Sequence, residues 1–322
     1  MAEYYYPEGP NEISVTEPIG SAYVATKQIL FKPFDLGKWF LLGFCAFLAN
    51  LCDCGGPHGN GGNNNSTRGF RSFGDAKEYF IDWFYEYWEL ILSIGWLFAV
   101  GLLMLTVLLL WLSSRGKFML LDGVVRNRGA VVEPWRKFKD LANSLFLWRF
   151  ILSLVSLVSL GLIVAVSLKI AWPDIQAERF DSNAIWALII GIPLWFIGII
   201  FFSVLGHILD DFVAPIMYKR NILGGEAIGI FRREILADRG GTFMLFYLMK
   251  FLLGFAAGIL LFLAGLLTCC IGCILMIIPF IGSVVTLPVA VFFRTYSLYF
   301  LKQFGPEWEL MGRPENIGLE LE

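Results

Sequence analysis

Apolar residues occur along this chain in long uncharged runs, not in the spaced stripes of an amphipathic helix. Five runs stand out, at 39–52, 90–114, 150–168, 182–209 and 251–293. A run of about 20 apolar residues crosses the hydrocarbon core of a bilayer as a helix. The last run is about twice that length, so it must contain two spans joined by a turn. The pattern therefore predicts an all-α, polytopic membrane helix bundle with six transmembrane helices.

The predicted spans cover about 36–52, 90–112, 147–169, 184–208, 247–267 and 272–295. The first run falls short of about 20 residues and reaches across only with Leu36 and a snorkelling Lys38. A re-entrant segment is the alternative reading there. The turn between the last two spans is placed at 268–273, with 279–282 as a second candidate. Three prolines are expected to bend the spans that contain them, namely Pro193, Pro279 and Pro288.

Lysine and arginine concentrate in alternate connections between the spans. The second connection carries Arg115, Lys117, Arg126, Arg128, Arg136, Lys137 and Lys139, and the fourth carries Lys219, Arg220, Arg232, Arg233 and Arg239. Basic loops belong on the cytoplasmic side of a membrane. Both termini are therefore predicted in the cytoplasm, with 303–322 as a cytoplasmic tail and 53–74, rich in glycine and asparagine, as a flexible outer loop.

The two basic loops resemble each other when the chain is shifted by 93 to 94 residues. The matching positions are Phe118 with Phe212, Arg126 with Arg220, Asn127 with Asn221, Glu133 with Glu226 and Phe138 with Phe231. A fainter third copy relates the segments that begin at Lys38, Arg149 and Lys250. This spacing predicts three parallel two-helix repeats, each introduced by an interfacial amphipathic helix at 21–31, 133–145 or 226–238. Chance similarity between basic loops is the alternative.

Three short motifs carry a resemblance to a known group of proteins. They are the run Asp-Phe-Val-Ala-Pro-Ile-Met-Tyr at 211–218, Glu226-Ala227, and Gln-Phe-Gly-Pro-Glu at 303–307. The chain resembles an uncharacterised family of prokaryotic six-span membrane proteins, which is similar to the membrane domain of glycerophosphoryl diester phosphodiesterases. The resemblance implies a prokaryotic plasma-membrane protein of unassigned activity. It brings no catalytic residues, and a phosphodiesterase domain is absent.

Charged residues near the inner end of the fourth span form the main candidate site. His207, Asp210 and Asp211 share one helix face, which could hold a metal ion. Ion pairing is the favoured interpretation, since ionisable groups at this depth usually have a counter-charge. The candidate partners are Arg115, Lys117 and Arg294, and we expect Asp210 or Asp211 within salt-bridge reach of Arg294 or Arg115. Snorkelling alone would account for Lys250 and Arg294.

Five cysteines fall on the outer side of this predicted topology. They are Cys52, Cys54, Cys269, Cys270 and Cys273. An oxidising exterior favours disulfides, and ring closure by the three hairpins predicts a bond from the first pair to the later group. A metal site that includes His58 and simple packing of small thiols in a hairpin are the alternatives.

Only 16% of the 322 residues are charged and the net charge is -2, which argues against a nucleic-acid partner and for membrane lipids. The sequence contains no phosphate-binding glycine loop, nucleophile elbow or zinc-protease helix, so it predicts no enzyme activity and no cofactor. The leading hypothesis is a scaffold, an assembly factor or a lipid-associated component. A small-solute permease or channel is the second hypothesis, and a membrane-embedded lipid enzyme is the third.

Overall fold

The computed structural model describes residues 13–32, 34–51, 88–176, 182–237, 239–267 and 278–312, and the regular structure in these ranges is helical throughout. The helices are α1 (Glu17–Phe31), α2 (Leu36–Ala49), α3 (Trp88–Val125), α4 (Val132–Lys137), α5 (Lys139–Gln176), α6 (Ser182–Ile208), α7 (Ala214–Arg220), α8 (Gly224–Ile230), α9 (Gly240–Leu267), α10 (Pro279–Val285) and α11 (Leu287–Lys302). Two π-helical turns, Leu209–Val213 and Phe231–Ile235, follow α6 and α8, and a 3₁₀ turn at Pro306–Trp308 follows α11.

Four helical stretches are long and apolar enough to cross a membrane. They are Gly95–Val125, Lys139–Asp174, Ser182–Arg220 and Gly240–Leu267. They overlap the second to fifth predicted spans, and the last three of these spans lie wholly within them. The described residues therefore form an all-α protein with four helices of membrane-spanning length.

The first and last predicted spans are not single long helices. The 14 residues of α2 rise only about 21 Å, less than the ~30 Å of a hydrocarbon core. The final predicted span divides into α10, of 7 residues, and α11, of 16 residues. Pro279 and Pro288 lie in the first turns of these two helices. The helix is interrupted at Thr286, two residues before Pro288, and proline is well accommodated where a helix begins.

The core of the protein lies at one end of the long helices. Its largest fully buried side chains include Phe118, Phe212, Phe246, Tyr296 and Phe300. Aromatic contacts hold α9 against α11, since Phe246 stacks on Tyr296 with ring centroids 5.0 Å apart. Burying rings of this size contributes most of the apolar area that stabilises such a core.

Beyond the core, the long helices project as four apolar arms, which we define as 95–112 of α3, 150–172 of α5, 185–207 of α6 and 251–267 of α9. Their side chains are largely exposed: Leu97 is 74% exposed, Leu157 69% and Leu260 69%. The α5 and α6 arms form a closely packed hairpin in which a Cβ on Gly191 would lie only 2.3 Å from Ser167 Oγ. The exposed surface of the arms has the apolar character of helices that face lipid.

The helices predicted to lie on the membrane interface pack against the core through their apolar faces. Helix α1 runs antiparallel to α11, with Ser14 N donating to Gln303 Oε1 at 2.7 Å and Ala22, Ala25 and Ile29 fully buried. In the segment predicted at 133–145 Phe138 and Leu141 are buried, and in that predicted at 226–238 Phe231 and Ile235 are buried. The apolar faces of these segments therefore meet protein.

Candidate functional site

A cluster of buried charged residues lies where the arms enter the core. Its members are Lys117 on α3, Arg149 on α5, Asp210 and Asp211 in the first π-helical turn, Lys250 on α9, and Arg294 on α11. We call this set the charge cluster. Each arm meets the core at one of these residues. Asp210 is 8% exposed, Asp211 6% and Lys117 4%, so water reaches the carboxylates poorly.

The π-helical turn explains how two adjacent aspartates both face inward. The Ala214 N–H bonds to Leu209 O, five residues earlier, and all five residues of the turn are buried. Such a widened turn interrupts the usual i→i−4 ladder and changes which groups the main chain presents. Adjacent side chains on a helical turn project in different directions, so the two carboxylates meet different helices.

Asp210 contacts cations on two helices, α3 and α5. The Lys117 ammonium forms a hydrogen-bonded ion pair with Asp210 Oδ2, and Arg149 Nε lies 3.7 Å from Asp210 Oδ1. Arg149 also donates to Ser113 Oγ at 3.1 Å. A single carboxylate thus joins α3 and α5 to the end of α6. Buried pairs of this kind need several partners, because desolvation of each charge is costly.

Asp211 connects the same π-helical turn to helices α9 and α11. Lys250 of α9 pairs with Asp211 Oδ2, and Ser297 Oγ of α11 donates to Asp211 Oδ1 at 3.2 Å. Snorkelling was therefore an incomplete interpretation of Lys250, which faces a carboxylate. Together the two aspartates link all four long helices at the point where their arms enter the core.

Arg294 reaches Asp210 through the main chain. Its Nη1 donates to Asp210 O at 2.7 Å, and its Nη2 donates to Lys117 O at 3.3 Å. The fork of an arginine can satisfy two carbonyls at once. Helices α11 and α3 and the π-helical turn thus converge at this side chain.

Arg115 and His207 lie apart from these contacts, contrary to the sequence-based expectation for Arg115. The Arg115 guanidinium carbon sits 4.5 Å from the Trp111 ring centroid and 4.8 Å from that of Trp135. Its Nη2 also donates to Asn143 Oδ1 at 3.4 Å. This is a cation–π arrangement. His207 is exposed, with its ring centroid 6.5 Å from that of Tyr247. Among the described residues no three metal-binding side chains come together.

Another buried carboxylate, which the sequence analysis did not identify, lies about one and a half turns beyond Lys117 on α3. Asp122 accepts hydrogen bonds from Tyr218 Oη at 2.9 Å and pairs with Arg126 at 3.1 Å and Arg128 at 3.0 Å. Arg128 also bonds to Glu133 outside the long helices, and this hydrogen bond lowers the pKa of that exposed carboxyl. The sequence feature that could have identified this site is an aspartate within the apolar stretch 118–125, with two arginines in the three residues that follow that stretch.

The five cysteines proposed to form disulfides lie outside the described residues, as do the outer loop 53–74 and the tail beyond Gly312. Cys45, which the described residues include, is a buried free thiol.

The all-α architecture and its several apolar helices of spanning length are those of a membrane protein. The chain belongs to a family of unknown function, DUF7544, whose sequence profile matches residues 13–285. No curated protein matches the chain, and no solved structure does. The similarity to the membrane domain of glycerophosphoryl diester phosphodiesterases is therefore unsupported by these comparisons.

Proposed function

We propose that this protein is a non-enzymatic integral membrane protein that acts as a scaffold, an assembly factor or a lipid-associated component. The observation that carries the proposal is the architecture of the arms. Apolar surface along α3, α5, α6 and α9 is exposed, whereas Asp210 and Asp211 are paired with basic residues where these helices enter the core. In a bilayer such surface is satisfied by lipid chains or by the apolar helices of another protein.

The arms are embedded in the plasma membrane of a prokaryote, with both termini and the charge cluster on the cytoplasmic side. The concentration of lysine and arginine in the connection after α3 and in that after α7 supports this orientation. We further propose that α2 and the α10–α11 pair complete six membrane-embedded segments.

The six segments form three parallel units. Asn127 and Asn221, equivalent in the repeat, are the two described non-glycine residues with positive φ, at 52° and 54°. Phe118 stacks on Phe138 at a 20° interplanar angle, and Phe212 stacks on Phe231 at 21°. Matching backbone and ring geometry at equivalent positions supports a repeat over chance similarity.

A permease is the second candidate. Pro173 lies inside α5 and Pro193 lies inside α6. The buried charge cluster lies at the ends of α5 and α6 that enter the core. Bent helices and intramembrane charges are features of solute pathways. Against a lipid enzyme stands the burial of Asp210 and Asp211, since a head group needs open access to a reacting carboxylate.

Cysteine accessibility distinguishes the first two candidates. In a variant with serine at the native cysteines, single cysteines replace Leu112 and Leu205, which lie just beyond the cluster on α3 and α6. The exposed lipid-facing position Leu157 is the matched control. In nanodiscs, a scaffold predicts that a hydrophilic thiosulfonate reacts no faster at 112 and 205 than at 157. Reaction at least tenfold faster at 112 and 205 would instead indicate a water-filled pathway and overturn the proposal.

A further inference from the structure

A groove between α1, α9 and α11 has the size of a ligand site. Its volume is about 520 Å³, within the ~300–1,000 Å³ range of small-molecule pockets. Its walls include Tyr23, Lys27 and Phe31 on α1, Ala257 on α9, and Val289 and Phe292 on α11. Apart from Lys27 and the hydroxyl groups of α1, this lining is apolar.

One wall of the groove follows a single face of α1. Tyr23, Lys27 and Phe31 are spaced four residues apart, so they lie above one another on the helix. All three are exposed, Tyr23 by 64% and Phe31 by 48%. Ala257 in the lining belongs to α9, one of the helices long enough to span a membrane. The groove therefore opens beside a membrane-spanning segment.

Lys27 is the charged residue of the lining. Within the described residues no carboxylate lies within salt-bridge distance of it. The acidic residue of α1, Glu17, is ten positions earlier, about 15 Å along the helix axis. Lys27 therefore places an exposed ammonium at the edge of an apolar groove, an arrangement that suits a ligand with an apolar chain and an anionic group.

We propose that this groove binds one acyl chain of an anionic phospholipid, with the lipid phosphate paired to Lys27. The apolar walls formed by Ala257, Val289 and Phe292 match the chain, and the ammonium matches the phosphate. The inference rests on the proposed membrane-embedded, lipid-associated role and names the class of lipid. An anionic head group is favoured over a zwitterionic one, because the latter brings its own cation to a site that already holds one.

Native mass spectrometry of the full chain, released from nanodiscs that contain equal amounts of phosphatidylglycerol and phosphatidylcholine, tests this proposal. The wild-type protein is expected to retain phosphatidylglycerol preferentially. Lys27→Gln should lower that retention roughly fivefold, the contribution of one basic side chain to binding an anionic lipid. Lys169→Gln, at an exposed lysine on α5, is the matched control and should leave retention unchanged.

Ala257→Leu fills the groove without changing its charge and should lower retention of the same lipid, while thermal unfolding shows that the variant is folded. Equal retention by Lys27→Gln and Lys169→Gln would overturn the proposal, as would full retention by Ala257→Leu. Competition by glycerol phosphate as effective as that by the lipid would also overturn it, because it would assign the site to a free phosphate. The cysteine-accessibility result is independent, so the proposed scaffold role and this lipid site can fail separately.

Discussion

At the scale of single residues, Asp210 and Asp211 connect three long helices to the end of α6. Lys117 and Arg149 approach the first carboxylate, and Lys250 approaches the second. Two neighbouring side chains thereby fix helices that are far apart along the chain. Removing one partner of a buried ion pair lowers the free energy of unfolding by more than the intact pair contributes to it. The reason is that the remaining charge stays buried without a counter-charge.

Asp210→Asn is therefore expected to lower the free energy of unfolding by about 3–5 kcal/mol, since Lys117 and Arg149 would lose their shared carboxylate. The measurement is thermal or denaturant unfolding of the purified protein in nanodiscs. Glu133→Gln is the control, because that carboxylate also pairs with an arginine but has a side chain 54% exposed. A loss of stability in Asp210→Asn no greater than in the control would contradict the account of the cluster.

Asn221 gives a second residue-scale prediction. Its φ of 54° places it in the left-handed region at the end of α7. Asn221→Gly should leave stability unchanged or raise it, whereas Asn221→Val should cost about 1–2 kcal/mol because a branched Cβ opposes this conformation. Unfolding of the two variants under the same conditions provides the comparison. Equal stability of the valine and glycine variants would show that the turn relaxes elsewhere.

At the scale of elements, close packing by glycine sets how α2 lies against α3. A Cβ on Gly116 would lie 2.4 Å from Ala49 N and 2.5 Å from Leu48 C. The contact is with main-chain atoms, so a rotamer change cannot relieve it. Ser113 Oγ also donates to Ala49 O at 2.7 Å, which fixes the end of α2 at this level of α3.

Gly116→Ala should therefore separate α2 from α3 and destabilise the protein by about 1–3 kcal/mol, as overpacking does elsewhere. Gly101→Ala on the same helix meets nothing within 4 Å and is the matched control. The control should be neutral or stabilising, because alanine favours helix more than glycine does. Thermal unfolding in nanodiscs measures both, and the packing account would fail if the two variants unfold at the same midpoint.

The sequence predicts the long elements better than the short ones. Uncharged runs were enough to place α3, α5, α6 and α9, because a spanning helix is defined by local composition. The break at Thr286 between α10 and α11 was missed, since a proline within an apolar run can either bend a helix or begin one. Which of these occurs depends on how α10 and α11 pack against α2 and α1. These contacts join distant parts of the chain, so the local sequence does not reveal them.

At the scale of the whole molecule, the arrangement is a buried core with apolar arms that leave it from one end. The sequence predicts that Asp210 and Asp211 need counter-charges, because composition and depth require it. It did not identify Arg149 or Lys250 as partners, nor that Arg115 makes cation–π contacts with Trp111 and Trp135. Such pairings arise from tertiary geometry, which brings together residues as far apart along the chain as Lys117 and Arg294, 177 positions.

The orientation of this core relative to the bilayer is the claim on which the proposed function depends. If the arms lie in the membrane, the connection after α3 and the start of α8 lie on the cytoplasmic side, and the end of α5 lies outside. Val132 and Leu223 are exposed at the first two places, by 65% and 53%, and Gln176 is exposed at the third. These positions suit single-cysteine probes in a variant with serine at the native cysteines.

Labelling with a membrane-impermeant maleimide tests this orientation most directly. In intact cells the account predicts that Gln176→Cys is labelled, whereas Val132→Cys and Leu223→Cys are protected until the membrane is permeabilised. The positive-inside distribution of lysine and arginine is the physical reason. Labelling of all three positions in intact cells, or protection of Gln176→Cys together with labelling of the other two, would contradict the account.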